Sequence, residues 1–277
     1  MYQTACFIVP PDQTEEAKHF WAYANLTAKS FKRETPDVRN ILLTTKAAKI
    51  PRRLAFDTVQ RLAEDIRMDK GLMVDECQGW LEFVRSELFN RPTILIDPDL
   101  ILQKDPIHVF AEDFDVGLTW RVPTADPTSG KPFVVGAAQP INAGVIFLNS
   151  ERKAAVVSFF KRCLDDLMTL PADYWKWYGD QESLLRVTGV NSFEQFEQII
   201  TTPDGTRIKF FHCRDYNHTP DSDPAGRPVL TYAPDPYIVH FKGLSKRIMF
   251  QYAEQFIGMR FQHDRKAPGG VRIFLGQ

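Results

Sequence analysis

The sequence lacks the short motifs that most often assign a chemistry to an α/β enzyme. It contains no G-x-S-x-G elbow, no G-x-G-x-x-G fingerprint and no Walker loop. Hydrolase-triad, dinucleotide-binding and P-loop functions are therefore without support. Four histidines also lack metal-type spacing with one another, namely His108, His212, His218 and His263. Other residues must carry the chemistry.

Cysteines and long apolar runs are equally scarce. The four cysteines, Cys6, Cys77, Cys163 and Cys213, lie far apart and form no C-x-x-C pair. This spacing favours free thiols in a reducing compartment and argues against a zinc ribbon. No apolar run approaches the length of a membrane span, and residues 1–6 lack the features of a signal peptide. We therefore expect a cytoplasmic protein.

Neither sign of charge dominates, because 34 basic residues face 35 acidic ones. The balance gives no indication of a nucleic-acid partner. Residues 245–277 differ, with an excess of basic side chains over Glu254 and Asp264. This segment is compatible with an anionic partner or peripheral membrane contact, or with a merely solvated basic end. Its basic residues are Lys246, Arg247, Arg260, Arg265, Lys266 and Arg272.

Apolar runs alternate with amphipathic segments through the first hundred residues. This alternation predicts parallel βαβ units, and thus an α/β sheet flanked by helices. No repeat or linker interrupts the pattern, so residues 1–277 are expected to form one domain whose end, 245–277, is a helical tail. Strands are predicted at 5–9, 38–45, 93–96, 114–120, 141–148, 207–212 and 237–241, and helices at 13–32, 56–66, 75–88, 150–168, 181–187 and 245–257, with Asp75, Ser150 and Asp180 as N-caps.

Two carboxylates, Asp97 and Asp99, follow the apolar run at 93–96, with Pro98 between them. Ligands of parallel sheets collect at the carboxyl ends of strands, where these acids are expected to lie. A divalent cation with oxygen ligands would offset their charge. A strand that simply ends in a solvated turn is the alternative.

A second polar group, His240, Gly243 and Lys246, begins at the end of the last apolar run and continues at three-residue steps. A neutral imidazole is a competent ligand for manganese, and a lysine ammonium suits phosphate. The group is therefore compatible with a diphosphate and metal clasp. A histidine at the end of a strand is, however, more often purely structural.

Two further polar segments have both structural and functional interpretations. Asn142-Ala143-Gly144 could be a turn or bulge, or could present an amide and bare backbone to a sugar. Asp180-Gln181 could begin a helix, or could bind hydroxyl groups in a pocket. Neither segment decides the function alone.

In their order and spacing these segments resemble family 8 glycosyltransferases of the GT-A fold, the group that includes glycogenin and bacterial galactosyltransferases. The resemblance spans about residues 94–246 and includes Tyr216-Asn217. It implies a Rossmann-like mixed, mostly parallel sheet flanked by helices. It also implies transfer of a hexose from a nucleotide-diphosphate sugar, expected to be a UDP-sugar, with retention of configuration. The acceptor would be a glycan, lipid or protein, and the loop 121–140 is a candidate surface for it.

The resemblance also implies residue roles. Asp97, Asp99 and His240 would bind Mn²⁺ or Mg²⁺, and Gly243 and Lys246 would hold the diphosphate. Asp97 would also contact the donor, as would the segments Asn142-Ala143-Gly144 and Asp180-Gln181. The catalytic residues would be Gln181, Asp180 and Lys246.

The chain departs from the family pattern at two places. The family's first strand usually ends in a small residue and an Asp, whereas here it ends in Val9-Pro10-Pro11 and Asp12 is displaced from that position. The family also commonly has an arginine on the helix before the D-x-D, Asp97-Pro98-Asp99, and Arg85 is the only candidate for it here. Two alternatives are a sugar nucleotidyltransferase of the same fold and a non-catalytic nucleotide-sugar-binding protein. The former needs a glycine-rich basic loop after the first strand, and Pro10-Pro11-Asp12-Gln13 is not one.

Overall fold

A computed structural model describes residues 1–8, 15–62, 71–121, 140–260, 262–263 and 271–272. The strands are β1 Gln3–Ile8, β2 Arg39–Thr44, β3 Thr58–Arg61, β4 Thr93–Ile96, β5 Leu100–Leu102, β6 Val116–Trp120, β7 Ile141–Leu148, β8 Ile200–Thr201, β9 Arg207–His212, β10 Ile238–His240, β11 Gln262–His263 and β12 Val271–Arg272. The α-helices are α1 Glu15–Glu34, α2 Leu72–Arg85, α3 Lys153–Leu167, α4 Ala172–Lys176, α5 Gly179–Thr188, α6 Cys213–Tyr216 and α7 Met249–Phe256. Short 3₁₀ helices span Ile107–Ala111, Ser150–Arg152, Phe193–Glu197 and Gly243–Ile248.

The main sheet has the order β3-β2-β1-β4-β7-β6-β9-β8 within the described part of the chain. Its first four strands are parallel, as is the pair β6–β9, whereas β7 runs antiparallel to both β4 and β6. The predicted α/β class with a mixed, mostly parallel sheet is therefore confirmed. Strands β7 and β9 occupy the predicted ranges 141–148 and 207–212.

Both faces of the sheet are buried, which explains its nearly continuous apolar strands. Along β1, Ala5 and Phe7 pack with α2, α3 and α5, while Cys6 and Ile8 pack with α1. A smaller antiparallel sheet, β5–β10, lies against α1 and α7 in a third cluster of buried side chains. The carboxyl ends of the central strands thus face the junction of the two sheets.

The prediction of a helix at 56–66 is wrong for the part of this segment that the structure describes. Thr58–Arg61 forms β3, which pairs with β2 and leaves Val59 exposed at the sheet edge. Pairing at an open edge suits the β-branched Thr58 and Val59 and outweighs their approximate helical spacing. Residues 63–70 lie outside the described ranges.

The three predicted N-caps also differ from the structure. Helix α2 begins after Gly71, so Asp75 lies inside its first turn, and α5 begins after Tyr178, which places Asp180 inside its first turn. Asn149, not Ser150, caps the turn that precedes α3. Helices α2 and α5 thus start earlier than the sequence signals, whereas α3 begins at Lys153, after the 3₁₀ turn.

The C-terminal segment is helical from Gly243 to Phe256, but 262–263 and 271–272 pair as short antiparallel strands. The expected helical tail is therefore not continuous to the end of the chain. The loop expected at 121–140 falls mostly outside the described residues. No helix within the described ranges has the length and apolarity needed to cross a membrane.

Candidate functional site

The two acids of the D-x-D are held by backbone contacts at the junction of the sheets. The backbone N–H of Asp97 donates to Gly144 O at 3.0 Å, and that of Phe241 donates to Asp99 O at 2.9 Å. Strand β10 pairs with β5 so that His240 lies opposite Leu100. Chain segments about 140 residues apart are thereby brought to one point.

Asp97, Asp99 and His240 form a cluster able to bind a metal ion. The His240 Nε2 atom lies 3.2 Å from Asp97 Oδ2 and 3.2 Å from Asp99 Oδ1. One ligand atom from each residue lies within 4.8 Å of the others, so a single cation could contact all three. Asp99 and His240 are buried, whereas Asp97 is partly open to the adjoining cavity. Carboxylate oxygens and one imidazole suit Mn²⁺ or Mg²⁺.

Lys246 adds a positive charge beside this cluster. Its Nζ lies 2.9 Å from Asp99 Oδ2 and 4.8 Å from the centre of the Phe20 ring. Burial raises the pKa of Asp99, but His240 and Lys246 lower it more, to about 2. Asp99 is consequently ionised at neutral pH, as a metal ligand must be.

The imidazole of His240 is oriented by Asn217. Its Nδ1 lies 2.8 Å from Asn217 Oδ1, and Asn217 Nδ2 donates to Thr119 Oγ1 and to Asn142 Oδ1. Because Asn217 Oδ1 can only accept, Nδ1 carries a proton, and Nε2 is the ring nitrogen that faces the carboxylates. Asn217 was not among the predicted site residues, and Tyr216-Asn217 was only part of the resemblance.

Gly144 is required where the imidazole meets β7. A Cβ on Gly144 would lie 2.3 Å from His240 Cε1 and 2.9 Å from Asp97 Oδ2. The pairing of β6 with β7 shifts register after Leu118, so the bulge, one of the interpretations left open for this segment, is present. The bare backbone of Gly144 therefore admits the histidine ring, a role that the sequence interpretation did not anticipate.

A cavity of about 500 Å³ opens beside the cluster, and all the predicted site residues line it. Gln181 Oε1 accepts a hydrogen bond from Asn142 Nδ2 at 3.3 Å, so two of the predicted segments meet. Burial raises the pKa of Asp180 to about 7, and its Oδ1 has no hydrogen-bond partner among the described residues. The predicted residues in this wall are Asp97, Asp99, Asn142, Ala143, Gly144, Asp180, Gln181, His240, Gly243 and Lys246.

Several cavity residues were not found from the sequence. Helix α2 contributes Glu76, whereas Arg85, the candidate from the family comparison, is exposed and does not line the cavity. Arg121 and Lys242 line the wall too, and burial lowers the pKa of Lys242 to about 8. No motif marks these residues, because only packing of α2 and β6 beside the D-x-D makes them neighbours.

Thr27 on α1 fixes the backbone of the D-x-D. Its hydroxyl contacts Pro98 O and Leu100 O at 2.7 Å each and accepts from Leu100 N at 3.0 Å. Since Thr27 is fully buried, an isosteric Thr27→Val change leaves these groups unpaired. We expect it to lower the free energy of unfolding by about 1–3 kcal/mol, measured in urea. Thr58→Val at the sheet edge is the control, and equal effects of the two changes would contradict this role.

Comparison with known proteins gives no match at the level of sequence. No family model matches the chain, and no curated protein matches it. Solved structures do match, and they show that this chain has the GT-A fold of glycosyltransferases. The fold expected from the resemblance is thus confirmed.

Three of the matching structures illustrate the similarity in fold. Galactosyltransferase LgtC, solved with donor and acceptor sugar analogues, is 14% identical, with a TM-score of 0.55 over 91% of this chain and 94% of that one. A glycosyltransferase involved in glycosylation of the major capsid of PBCV-1 is 12% identical, with a TM-score of 0.53 over 91% of this chain and 98% of that one. The glycosyltransferase GlyE from Streptococcus pneumoniae TIGR4, in its apo form, is 13% identical, with a TM-score of 0.52 over 90% of this chain and 59% of that one.

Proposed function

We propose that the protein is a metal-dependent glycosyltransferase that moves a hexose from a UDP-sugar to a glycan, lipid or protein acceptor with retention of configuration. The observation that carries this proposal is the cluster of Asp97, Asp99 and His240, with Lys246 beside it, at the mouth of a cavity in a GT-A fold. Carboxyl ends of parallel strands are where such folds bind nucleotides.

The donor set of the cluster fits a divalent cation. Asp99 is ionised, and Nε2 of His240 faces both carboxylates because Asn217 Oδ1 accepts a hydrogen bond from Nδ1. When bound, Mn²⁺ or Mg²⁺ would neutralise charge on the leaving diphosphate. The imidazole ligand favours manganese.

Lys246 and the backbone of Gly243 would hold the diphosphate. Gly243 has φ of 51°, a left-handed conformation that glycine adopts readily, and it begins the 3₁₀ turn that carries Lys246. The Lys246 ammonium already faces the cluster through Asp99. It would therefore stabilise the negative charge that develops as the sugar–phosphate bond breaks.

Another part of the cavity wall would hold the sugar. Asp180, Gln181, Asn142 and Ala143 lie there, and the Asn142 amide fixes the Gln181 side chain. Gln181 would lie near the anomeric carbon, and an amide is a poor nucleophile. We therefore propose front-side attack by the acceptor hydroxyl, whose proton passes to the leaving phosphate, without a covalent sugar–enzyme intermediate.

Donor turnover tests the proposal against its two alternatives. Purified protein with UDP-glucose or UDP-galactose should release UDP and free sugar only when Mn²⁺ is present, and EDTA should abolish the release. With an accepted glycan, proton NMR should show a product anomer of the donor's configuration. Donor binding without UDP release would favour a binding protein, formation of UDP-sugar from UTP and sugar phosphate would favour a nucleotidyltransferase, and an inverted anomer would exclude front-side attack.

A further inference from the structure

Lys242 places a positive charge in the wall of the cavity. It follows β10 within two residues, lines the cavity and is half-buried. Burial lowers its pKa to about 8, so the ammonium form still predominates at neutral pH. Asp97 and Asp99 attract it electrostatically, but both already pair within the candidate metal site. Lys242 itself forms no ion pair with a described residue, which leaves a partly desolvated charge uncompensated.

Arg121 brings a second positive charge to the same part of the cavity. It directly follows β6, and its backbone N–H donates to Pro140 O at 2.8 Å. The parallel pairing of β6 with β9 makes Trp120 and His212 register partners, so Arg121 comes next to Cys213. The Arg121 side chain is exposed, lines the cavity and forms no ion pair with a described residue.

Cys213 interacts with both cations but does not neutralise them. Burial raises the pKa of its thiol, so the sulfur carries no charge at neutral pH. The charges of Lys242 and Arg121 meanwhile repel each other. Two like charges in one cavity wall are unfavourable, and a bound anion would offset both their repulsion and the desolvation of the ammonium.

The neighbours of these two cations differ from those of Lys246. The Lys246 ammonium lies against Phe20 of α1, whereas Lys242 lies near Cys213, the first residue of α6. Helix α6 packs against both β6 and β10, which brings Arg121 and Lys242 to one place. The donor diphosphate is proposed to bind at Lys246, and a UDP-hexose carries no further anionic group. An anion at Lys242 and Arg121 would therefore come from the other substrate.

The proposed position of the reacting carbon is close to this pair of cations. Thr119 lies two residues before Arg121, and its hydroxyl donates to Asn142 O at 2.7 Å. The Asn142 amide in turn donates to Gln181 Oε1, and Gln181 is the residue proposed to lie near the anomeric carbon. An acceptor whose hydroxyl reaches that carbon would therefore have its neighbouring groups within reach of Arg121.

We infer that the acceptor is anionic and that its phosphate or carboxylate group binds to Lys242 and Arg121. This inference rests on the proposed function, since it requires that a sugar is transferred to an acceptor in this cavity. A guanidinium can donate to two oxygens of such a group, and an ammonium adds a compact positive charge. The acceptor hydroxyl oxygen then bonds to the anomeric carbon, the bond from this carbon to the diphosphate breaks, and the hydroxyl proton passes to the leaving phosphate.

The test measures binding of glucose 6-phosphate, glucuronate and glucose to protein saturated with Mn²⁺ and UDP, by calorimetry at neutral pH. Because UDP then occupies the donor site, an anionic probe cannot bind there. The wild type should bind at least one anionic sugar about tenfold or more tightly than glucose, and the tighter of the two tells phosphate from carboxylate. Lys242→Met and Arg121→Gln should each reduce this preference by about fivefold or more and leave the affinity for glucose unchanged. Lys161→Met, on the exposed surface of α3, is the matched control and should leave the preference unchanged.

UDP alone separates failure of this inference from failure of the proposed function. Absence of Mn²⁺-dependent UDP binding in the wild type would reject the proposed function. Normal UDP binding without a preference for either anionic sugar, or with an unchanged preference in both variants, would overturn the inference alone. Weaker UDP binding by Lys242→Met would also overturn it, because Lys242 would then hold the donor. Since Arg121 is exposed, Arg121→Gln decides the question even if Lys242→Met fails to fold.

Discussion

An Asp99→Asn protein is expected to lose the manganese dependence of UDP binding and at least about 100-fold of its donor hydrolysis. Asp99 is the buried member of the cluster that contacts both His240 Nε2 and Lys246 Nζ. Asparagine keeps the side-chain volume but removes the charge that attracts the cation. Calorimetric titration of UDP with and without Mn²⁺, together with a UDP-release assay, measures the loss.

Asp165→Asn provides the control for this change. Asp165 lies on the exposed surface of α3, where it pairs with Lys161, so its loss should alter neither binding nor hydrolysis. A thermal melt of the metal-free Asp99→Asn protein establishes that it is folded. If this folded variant retained the metal dependence of the wild type, Asp97, Asp99 and His240 would not be the metal site.

Gly144→Ala is expected to disrupt the same site by steric conflict alone. The added Cβ would lie 2.3 Å from His240 Cε1 and 2.6 Å from Nδ1, far closer than carbon and nitrogen atoms can approach. The ring must move and lose its alignment with Asn217 and the carboxylates. We expect a loss of about 2–4 kcal/mol in the free energy of unfolding, measured in urea, and at least about tenfold weaker binding of Mn²⁺.

A double-mutant cycle identifies the imidazole as the cause. In a His240→Ala background the ring is absent, so Gly144→Ala should cost clearly less in unfolding free energy than it does in the wild type. Residues in contact show such coupling, whereas distant residues show additive effects. Additive costs for the two changes would mean that contact with His240 is not what requires a glycine at this position.

The sequence predicted which residues gather at the cavity better than it predicted the helices. The D-x-D and the His240, Gly243 and Lys246 steps constrain residue type at fixed spacing, and the predicted site residues all line one cavity. Helix starts were less predictable, because a residue such as Asp75 matches a cap pattern while packing places it inside α2. Helical spacing at 56–66 was similarly outweighed by strand pairing with β2.

Residues that act through a neighbour left little trace in the sequence. Thr27 fits the apolar stripe of α1, and only the fold shows its hydroxyl between the carbonyls of Pro98 and Leu100. Asn217 and Glu76 likewise have no motif of their own. Their roles depend on which strand or helix lies alongside, and a single sequence does not specify this without the tertiary packing.

The pairing of β5 with β10 has a consequence for synthesis of the chain. Asp97 and Asp99 leave the ribosome long before His240, which is 141 residues beyond Asp99. A nascent chain that has not reached His240 therefore possesses neither the imidazole nor the lysine of the cluster. The cluster of Asp97, Asp99, His240 and Lys246 is thus completed late in translation, and incomplete chains that contain the D-x-D lack it.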